Sequence, residues 1–181
     1  MAQWFNQGFK ALAVVSANTG EGASYLAANL AIVFSQLGQR TLLIDANLRQ
    51  PRQHKIFALS QKQGLSDLIV GRADQSVTTK LDVFKDLSLL GAGTIPPNPQ
   101  ELLDSPAFTN LMLSMIGQYD IVLVDAAPAT ITADAQAVVS RCGGALVVSR
   151  LNHTRLDELA LVREQISLTT AKVVAAVVSD F

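Results

Sequence analysis

Residues 10–37 read Lys-Ala-Leu-Ala-Val-Val-Ser-Ala-Asn-Thr-Gly-Glu-Gly-Ala-Ser-Tyr-Leu-Ala-Ala-Asn-Leu-Ala-Ile-Val-Phe-Ser-Gln-Leu. The unbroken apolar string at 11–15 predicts a strand buried on both faces. Asn18, Thr19, Gly20, Glu21 and Gly22 cannot prolong it, and the two glycines permit positive φ. From Ala23 onward Leu26, Ala27, Leu30, Ala31, Phe34 and Leu37 recur at helical spacing, and Gly38 supplies a stop. Strand, glycine loop and helix start together make an anion cradle, because free main-chain N–H groups and the positive helix end converge there.

Two fingerprints compete for this loop. The dinucleotide pattern G-x-G-x-x-G is met by Gly20 and Gly22, with Asp45 at the right distance for its acid, but Tyr25 stands where the third glycine belongs. The phosphate-loop pattern G-x-x-x-x-G-K-[ST] suits the longer loop and makes Ser24 the magnesium-ligating hydroxyl. It departs at Ala17, in place of the first glycine, and at Ala23, in place of the lysine. The loop alone leaves both patterns open.

Working outward, apolar strands are predicted at 41–44, 87–90, 121–124, 145–149 and 173–178. Helices are predicted at 23–37, 65–70, from Gln100, at 106–116, at 133–141 and from Thr154, whose Thr-Arg-Leu-Asp run has a loose capping-box form. Residues 50–63 carry Arg52, His54 and Lys55 without a regular pattern. Alternating strands and helices predict an α/β fold: an open, mostly parallel sheet with helices on both faces, of the P-loop NTPase type. Ligands in such sheets bind beyond the carboxyl ends of the strands. The loops holding Asn18 to Ser24, then Asp45, Asn47 and Arg49, then Asp125, should therefore open on one edge. Asp125 ends an apolar strand as a Walker B carboxylate does. The dinucleotide reading has no use for it, so the phosphate reading is preferred, with Ser24, Asp45 and Asp125 around a magnesium ion.

At 181 residues the chain is long enough for one domain with a full core, taken here as a single nucleotide-binding domain over 1–181. Its composition, 49% hydrophobic and 16% charged, suits a sheet covered on both faces. A net charge of −1 argues against bulk attraction to nucleic acid or anionic lipid. Cys142, the single cysteine, reads as a small buried residue, and no Cys/His cluster suggests zinc. No apolar run is long enough for a bilayer span, so no direct membrane insertion is expected. Residues 1–9 lack the features of a signal peptide. Trp4, Phe5 and Phe9 should pack under the sheet edge, or else mark a helix end that reaches a neighbouring subunit.

Residues 16–24, then Leu-Leu-Ile-Asp-Ala-Asn-Leu-Arg-Gln-Pro at 42–51, then Ile-Val-Leu-Val-Asp-Ala-Ala-Pro at 121–128, resemble the Walker A, A′ and B motifs of bacterial tyrosine kinases. The likeness is to the EpsG-type chain-length-determinant kinases of exopolysaccharide biosynthesis, and it extends to Pro-Pro-Asn-Pro-Gln-Glu-Leu-Leu at 96–103. It implies a P-loop domain binding ATP or ADP with Mg through residues Asn18, Thr19, Gly20, Glu21, Gly22, Ala23, Ser24 and Tyr25. Asp45, Asn47 and Arg49 would stand at the catalytic positions. It also implies a cytoplasmic protein held at the inner membrane by a membrane-embedded polysaccharide co-polymerase that activates it, with possible self-association. Five positions depart from the family. Ala23 replaces the phosphate-binding lysine, Asn47 the second A′ aspartate, Ala126 and Ala127 the usual Thr-Pro, and Ser179 an asparagine near the adenine. The only tyrosines are Tyr25 and Tyr119, so a tyrosine-rich tail is not among these residues, nor is the Glu-x-x-Arg-x-x-Arg helix of subunit association. An ammonium a few ångströms from phosphate is worth roughly 4 kcal/mol at an effective dielectric near 20, so weakened catalysis with surviving nucleotide binding is expected. The alternatives are an autokinase that borrows Arg49, Arg52 or Lys55, and a partition-type P-loop ATPase.

Overall fold

The computed structural model describes residues 2–60 and 62–180. In chain order the elements are α1 (Ala2–Asn6), β1 (Ala11–Ser16), α2 (Ala23–Gln36), β2 (Thr41–Asp45), α3 (Gln53–Ile56) and α4 (Leu65–Ile69). A 3-10 turn (Gln75–Val77) leads into β3 (Thr79–Lys80), β4 (Leu87–Leu90), α5 (Pro99–Asp104), α6 (Pro106–Gln118) and β5 (Ile121–Asp125). The chain continues through α7 (Asp134–Cys142), β6 (Gly144–Arg150), α8 (Leu156–Ser167) and β7 (Lys172–Ser179). The strands form one sheet in the order β3-β4-β2-β5-β1-β6-β7, parallel except for β3, which pairs antiparallel with β4. The open α/β architecture therefore stands as expected. The short β3 and α3 were not foreseen, because two residues at a sheet edge and one helical turn are too short to carry a period.

The alternation of strand side chains sorts the core into two layers. Ala11, Ala13 and Val15 of β1 join the larger cluster beneath α4 to α8, whereas Leu12 and Val14 face α1 and α2. On α2 the buried positions are Ala23, Ala27, Ala28, Ala31 and Ser35, while Leu37 is left exposed. Of the predicted stripe, Ala27 and Ala31 are buried and Leu26, Leu30 and Phe34 pack partly buried against the same cluster; only Leu37 departs, and the small alanines at the centre let the helix lie close against the sheet. Cys142 is buried in the larger cluster, and burial pushes its thiol up to about 12. Among the described residues no helix is long and apolar enough to cross a membrane.

Trp4 lies under the starting ends of β1 and β6. Its indole N–H donates to the Ala11 carbonyl at 3.0 Å, and its ring stacks on Phe9 with centroids 3.9 Å apart. Phe5 meets Phe34 of α2 edge-on. Packing under the sheet edge is therefore what the aromatic residues near the start do. A Cβ at Gly144 would come within 2.6 Å of the Trp4 ring, so the close approach requires glycine there. The capping-box reading at Thr154 shifts by one residue. Glu158 accepts from the Arg155 N–H at 2.9 Å, and Thr154 is turned toward the glycine loop instead.

Candidate functional site

β1 hands the chain to α2 through residues 17–22. Gly20 (φ 83°) and Gly22 (φ 89°) sit in the left-handed region, where a Cβ would add strain, and α2 has no side-chain cap. Among the described residues, the main-chain N–H groups of Gly20, Gly22, Ala23 and Ser24 have no protein acceptor. These donors and the positive end of α2 are the groups that suit an anion.

The loop is held from behind by its own acid. Glu21 is buried and accepts from the Asn18 N–H at 3.1 Å, the Asn18 amide at 3.4 Å and the Thr154 hydroxyl at 2.6 Å. The Thr130 hydroxyl lies 2.7 Å from the Ala17 carbonyl and 2.9 Å from Asn18 Oδ1. The Ser179 hydroxyl bridges the Glu21 and Ser149 carbonyls at 3.1 and 3.2 Å, fastening the end of β7 to the loop. The Arg150 guanidinium makes one long contact, 3.5 Å, to the Gly20 carbonyl. Thr130 was missed by sequence reasoning and Thr154 was read only as a helix start, since a lone hydroxyl in a loop carries no periodic signal for a distant partner.

The loop opens on a cleft of about 220 Å³ lined by residues 18–25 together with Ser16, Asn47, Arg52, Ile56, Ala126 and Pro128. All eight loop residues named from the sequence therefore border one space. Tyr25 is exposed at its rim, and Ala23 presents only a methyl group where the pattern has a lysine.

The two acids do not line it themselves, but stand just ahead of two residues that do, Asn47 and Ala126. β2 and β5 are neighbours in register, with Asp45 directly opposite Asp125. Both are fully buried. Asp45 Oδ1 accepts from the Asn47 N–H at 3.2 Å, and Oδ2 accepts from the Arg52 and Gln53 N–H groups at 3.0 and 2.9 Å, so this carboxylate caps α3. Asp125 Oδ2 accepts from the Gln53 amide at 2.7 Å, while Oδ1 is buried without a partner among the described residues. Burial, then the charge of Asp125, pushes the Asp45 pKa well above the carboxylate range. Burial also raises that of Asp125, against the opposing pull of Gln53, the adjacent Ser24 hydroxyl and the Arg52 charge.

Of the basic residues named from the sequence, Arg49 is committed elsewhere. It forms a two-pronged ion pair with buried Asp134 at the start of α7, at 2.7 and 3.1 Å. Arg52 borders the cleft, and Lys55 flanks a second depression beside it with Gln50, Pro51 and Ile56. Asn47 lines the cleft while its side-chain oxygen accepts from the Gln50 N–H at 3.1 Å. Gln53, fully buried between Ser24 and Asp125, was also missed. Its signal was faint: Pro51 ahead of Gln-His-Lys-Ile, a helix start too short to register.

A magnesium-bound polyphosphate fits the donor set. Magnesium uses one or two carboxylates and completes its shell with phosphate oxygens and water. Ser24 and the unpaired Asp125 oxygen offer such a partial shell. Among the described residues no three His, Cys, Asp or Glu side chains converge as a ready-made metal cage.

The family model described as "Cellulose biosynthesis protein BcsQ" matches residues 9–177. Tyrosine-protein kinase YwqD of Bacillus subtilis (strain 168) is 35% identical over 170 residues, 94% of this chain and 72% of that protein. The solved kinase domain of Escherichia coli tyrosine kinase ETK superposes with a TM-score of 0.92 at 26% identity, over 99% of this chain and 71% of that one. The septum site-determining protein MinD of Pyrococcus horikoshii OT3, solved with Mg-ADP, shares the fold at a TM-score of 0.74 and 20% identity, over 90% of this chain and 67% of that one. The fold is thus that of the P-loop NTPases, and the near-full-length likeness to YwqD and to the ETK kinase domain shows that this chain belongs to the bacterial tyrosine-protein kinase family.

Proposed function

We propose that this domain binds Mg·ATP or Mg·ADP in the cleft at the glycine loop. We also propose that it serves exopolysaccharide chain-length control and export through a membrane-embedded co-polymerase partner, with its own phosphoryl transfer weakened. The observation that carries the binding half is the set of four main-chain donors that have no acceptor among the described residues and belong to residues lining the cleft, Gly20, Gly22, Ala23 and Ser24. In this reading Gly20, Gly22, Ala23 and Ser24 grip phosphate oxygens, Ser24 and Asp125 hold the metal, and Asp45 keeps α3 in place beside them. Magnesium bound there neutralises charge building on the transferred phosphoryl group. Ala23 offers no ammonium, and a lysine charge is most useful in the transition state, so the loss falls on rate more than on binding. Asn47 can orient a hydroxyl but cannot accept its proton as a carboxylate would. Support for the biological setting comes from kinship with the tyrosine-kinase relatives. Calorimetry with Mg·ADP tests the binding. A saturable heat with a thermal shift is expected, and neither heat nor shift at millimolar nucleotide would overturn it.

A second reading is favoured by Arg52, which borders the cleft and whose charge already acts on Asp125. Here the chain is an active autokinase with Arg52 in place of the lysine. Brisk phosphotyrosine formation that collapses in Arg52→Ala would establish it. Activity that is near background and rises on Ala23→Lys would instead establish the first.

A further inference from the structure

We propose that Gln53 is a positioning residue for the metal half of this site. Its amide nitrogen orients Asp125, and its amide oxygen takes a hydrogen bond from the water shell of a divalent cation held by Asp125 and Ser24. The proposal rests on the nucleotide reading above. Gln53 joins three elements that frame the cleft. Its side-chain nitrogen donates to the Ser24 carbonyl of α2 at 2.9 Å and to Asp125 Oδ2 of β5 at 2.7 Å, while its main-chain N–H donates to Asp45 Oδ2 of β2 at 2.9 Å. Because both side-chain partners are acceptors, only the nitrogen can face them, and both of its N–H groups are used. The amide oxygen is therefore turned away from them, and it is buried without a partner among the described residues.

Two bonded neighbours, Gln53 and Asp125, thus each carry a buried oxygen that no donor satisfies among the described residues. While Asp125 is ionised neither can relieve the other, since both then only accept. Native interiors rarely leave such atoms orphaned. A hydrated cation held by Ser24 and Asp125 would satisfy the pair together, one oxygen through the metal's charge and the other through its water shell. The amide suits this task where other side chains of its length do not. A lysine would pair with Asp125 and cancel the charge the cation needs, a glutamate would repel it, and a methionine would fill the space without holding the carboxylate.

ADP is titrated calorimetrically into the full chain with EDTA and then with Mg, for the wild type, Gln53→Met and Gln53→Glu, alongside thermal melts with and without Mg. Gln53→Met is expected to hold ADP in EDTA within about twofold of wild type, yet to lose roughly 10- to 100-fold of the tightening that Mg brings. Gln53→Glu crowds a third carboxylate beside Asp45 and Asp125, so its melting temperature should rise with Mg even without nucleotide. A methionine variant that keeps the full Mg gain, or that loses metal-free affinity equally, overturns the proposal and makes Gln53 a packing residue. A melting temperature of Gln53→Glu that ignores Mg does the same. Wild type that binds ADP without any Mg effect sinks this proposal alone, whereas wild type giving no ADP heat under either condition sinks the nucleotide reading and this with it.

Discussion

At Ala23 the consequence of one side chain can be measured in isolation. Its Cβ lies at the first turn of α2, where a lysine stem could run along the cleft wall. Restoring the ammonium in Ala23→Lys should raise phosphoryl transfer by at least about tenfold, within the roughly 4 kcal/mol that one such charge can supply. Affinity for Mg·ADP should change less, as a split between turnover and binding assays would reveal. Arg49 is a different case. Its guanidinium is partly exposed, but its partner Asp134 is buried, and Arg49→Ala strands that carboxylate. A loss of about 2 kcal/mol in urea unfolding is expected, between the small worth of surface pairs and the larger cost of breaking buried ones. Asp134→Asn combined with Arg49→Ala should recover part of it. Were Arg49→Ala silent in stability, the pair would be ornamental and Arg49 free to act in the cleft.

Elements are joined here at a few specific points. The glycine loop keeps its shape because Glu21 collects donors from Asn18 and from Thr154, a residue far along the chain. Glu21→Ala leaves these groups unpaired in a buried place and should cost about 1–3 kcal/mol. Hydrogen exchange should speed up locally at residues 18–24. Protection unchanged there would mean the loop is held by its glycines alone. At the opposite edge, Gly144→Ala drives a methyl group into Trp4 and should cost about 1–3 kcal/mol by overpacking. In a Trp4→Leu background the same change should cost less, because the ring is gone and only the Val174 methyl, 2.8 Å from the added Cβ, still obstructs; full additivity of the two changes would disprove the contact.

For the molecule as a whole, the paired acids set a pH dependence of stability. Asp45 and Asp125 have folded-state pKa values raised above those of the unfolded chain, by burial first and, for Asp45, by the neighbouring charge. Each is therefore protonated more readily folded than unfolded. Their contribution is most favourable at and below the unfolded value, about 4, and is lost as pH rises from there toward neutrality. Asp67 and Asp120 act in the opposite sense. Asp67 is lowered by hydrogen bonds from Thr94 and Gly64 that outweigh its burial, and Asp120 is lowered to about 2 by its hydrogen bonds with Arg40. Their contribution is lost as pH falls below the ordinary carboxylate range. Stability without nucleotide should therefore peak on the mildly acidic side. Asp125→Asn should be more stable than wild type at pH 8 by about 1–2 kcal/mol, as is common when a functional charge is removed. Equal melting temperatures at pH 8 would show that the pair is not strained.

The sequence by itself determined the layered α/β sheet, because fully apolar strand runs and helix-spaced runs alternate strongly enough to survive any local ambiguity. It also determined which loops face one another: a parallel sheet puts every strand's carboxyl end on one edge, so Gly20, Asp45 and Asp125 had to share it. Only the tertiary structure decided what each group there is free to do. Asp45 spends its lone pairs on the N–H groups of α3, Arg49 turns away to Asp134, Glu21 faces inward, and Gln53 enters from a stretch without pattern to touch both acids. Periodicity reports which face of an element is apolar. It carries no record of hydrogen bonds made between residues distant in the chain, and those bonds are what divide the groups that build this cleft from the groups left open to a ligand.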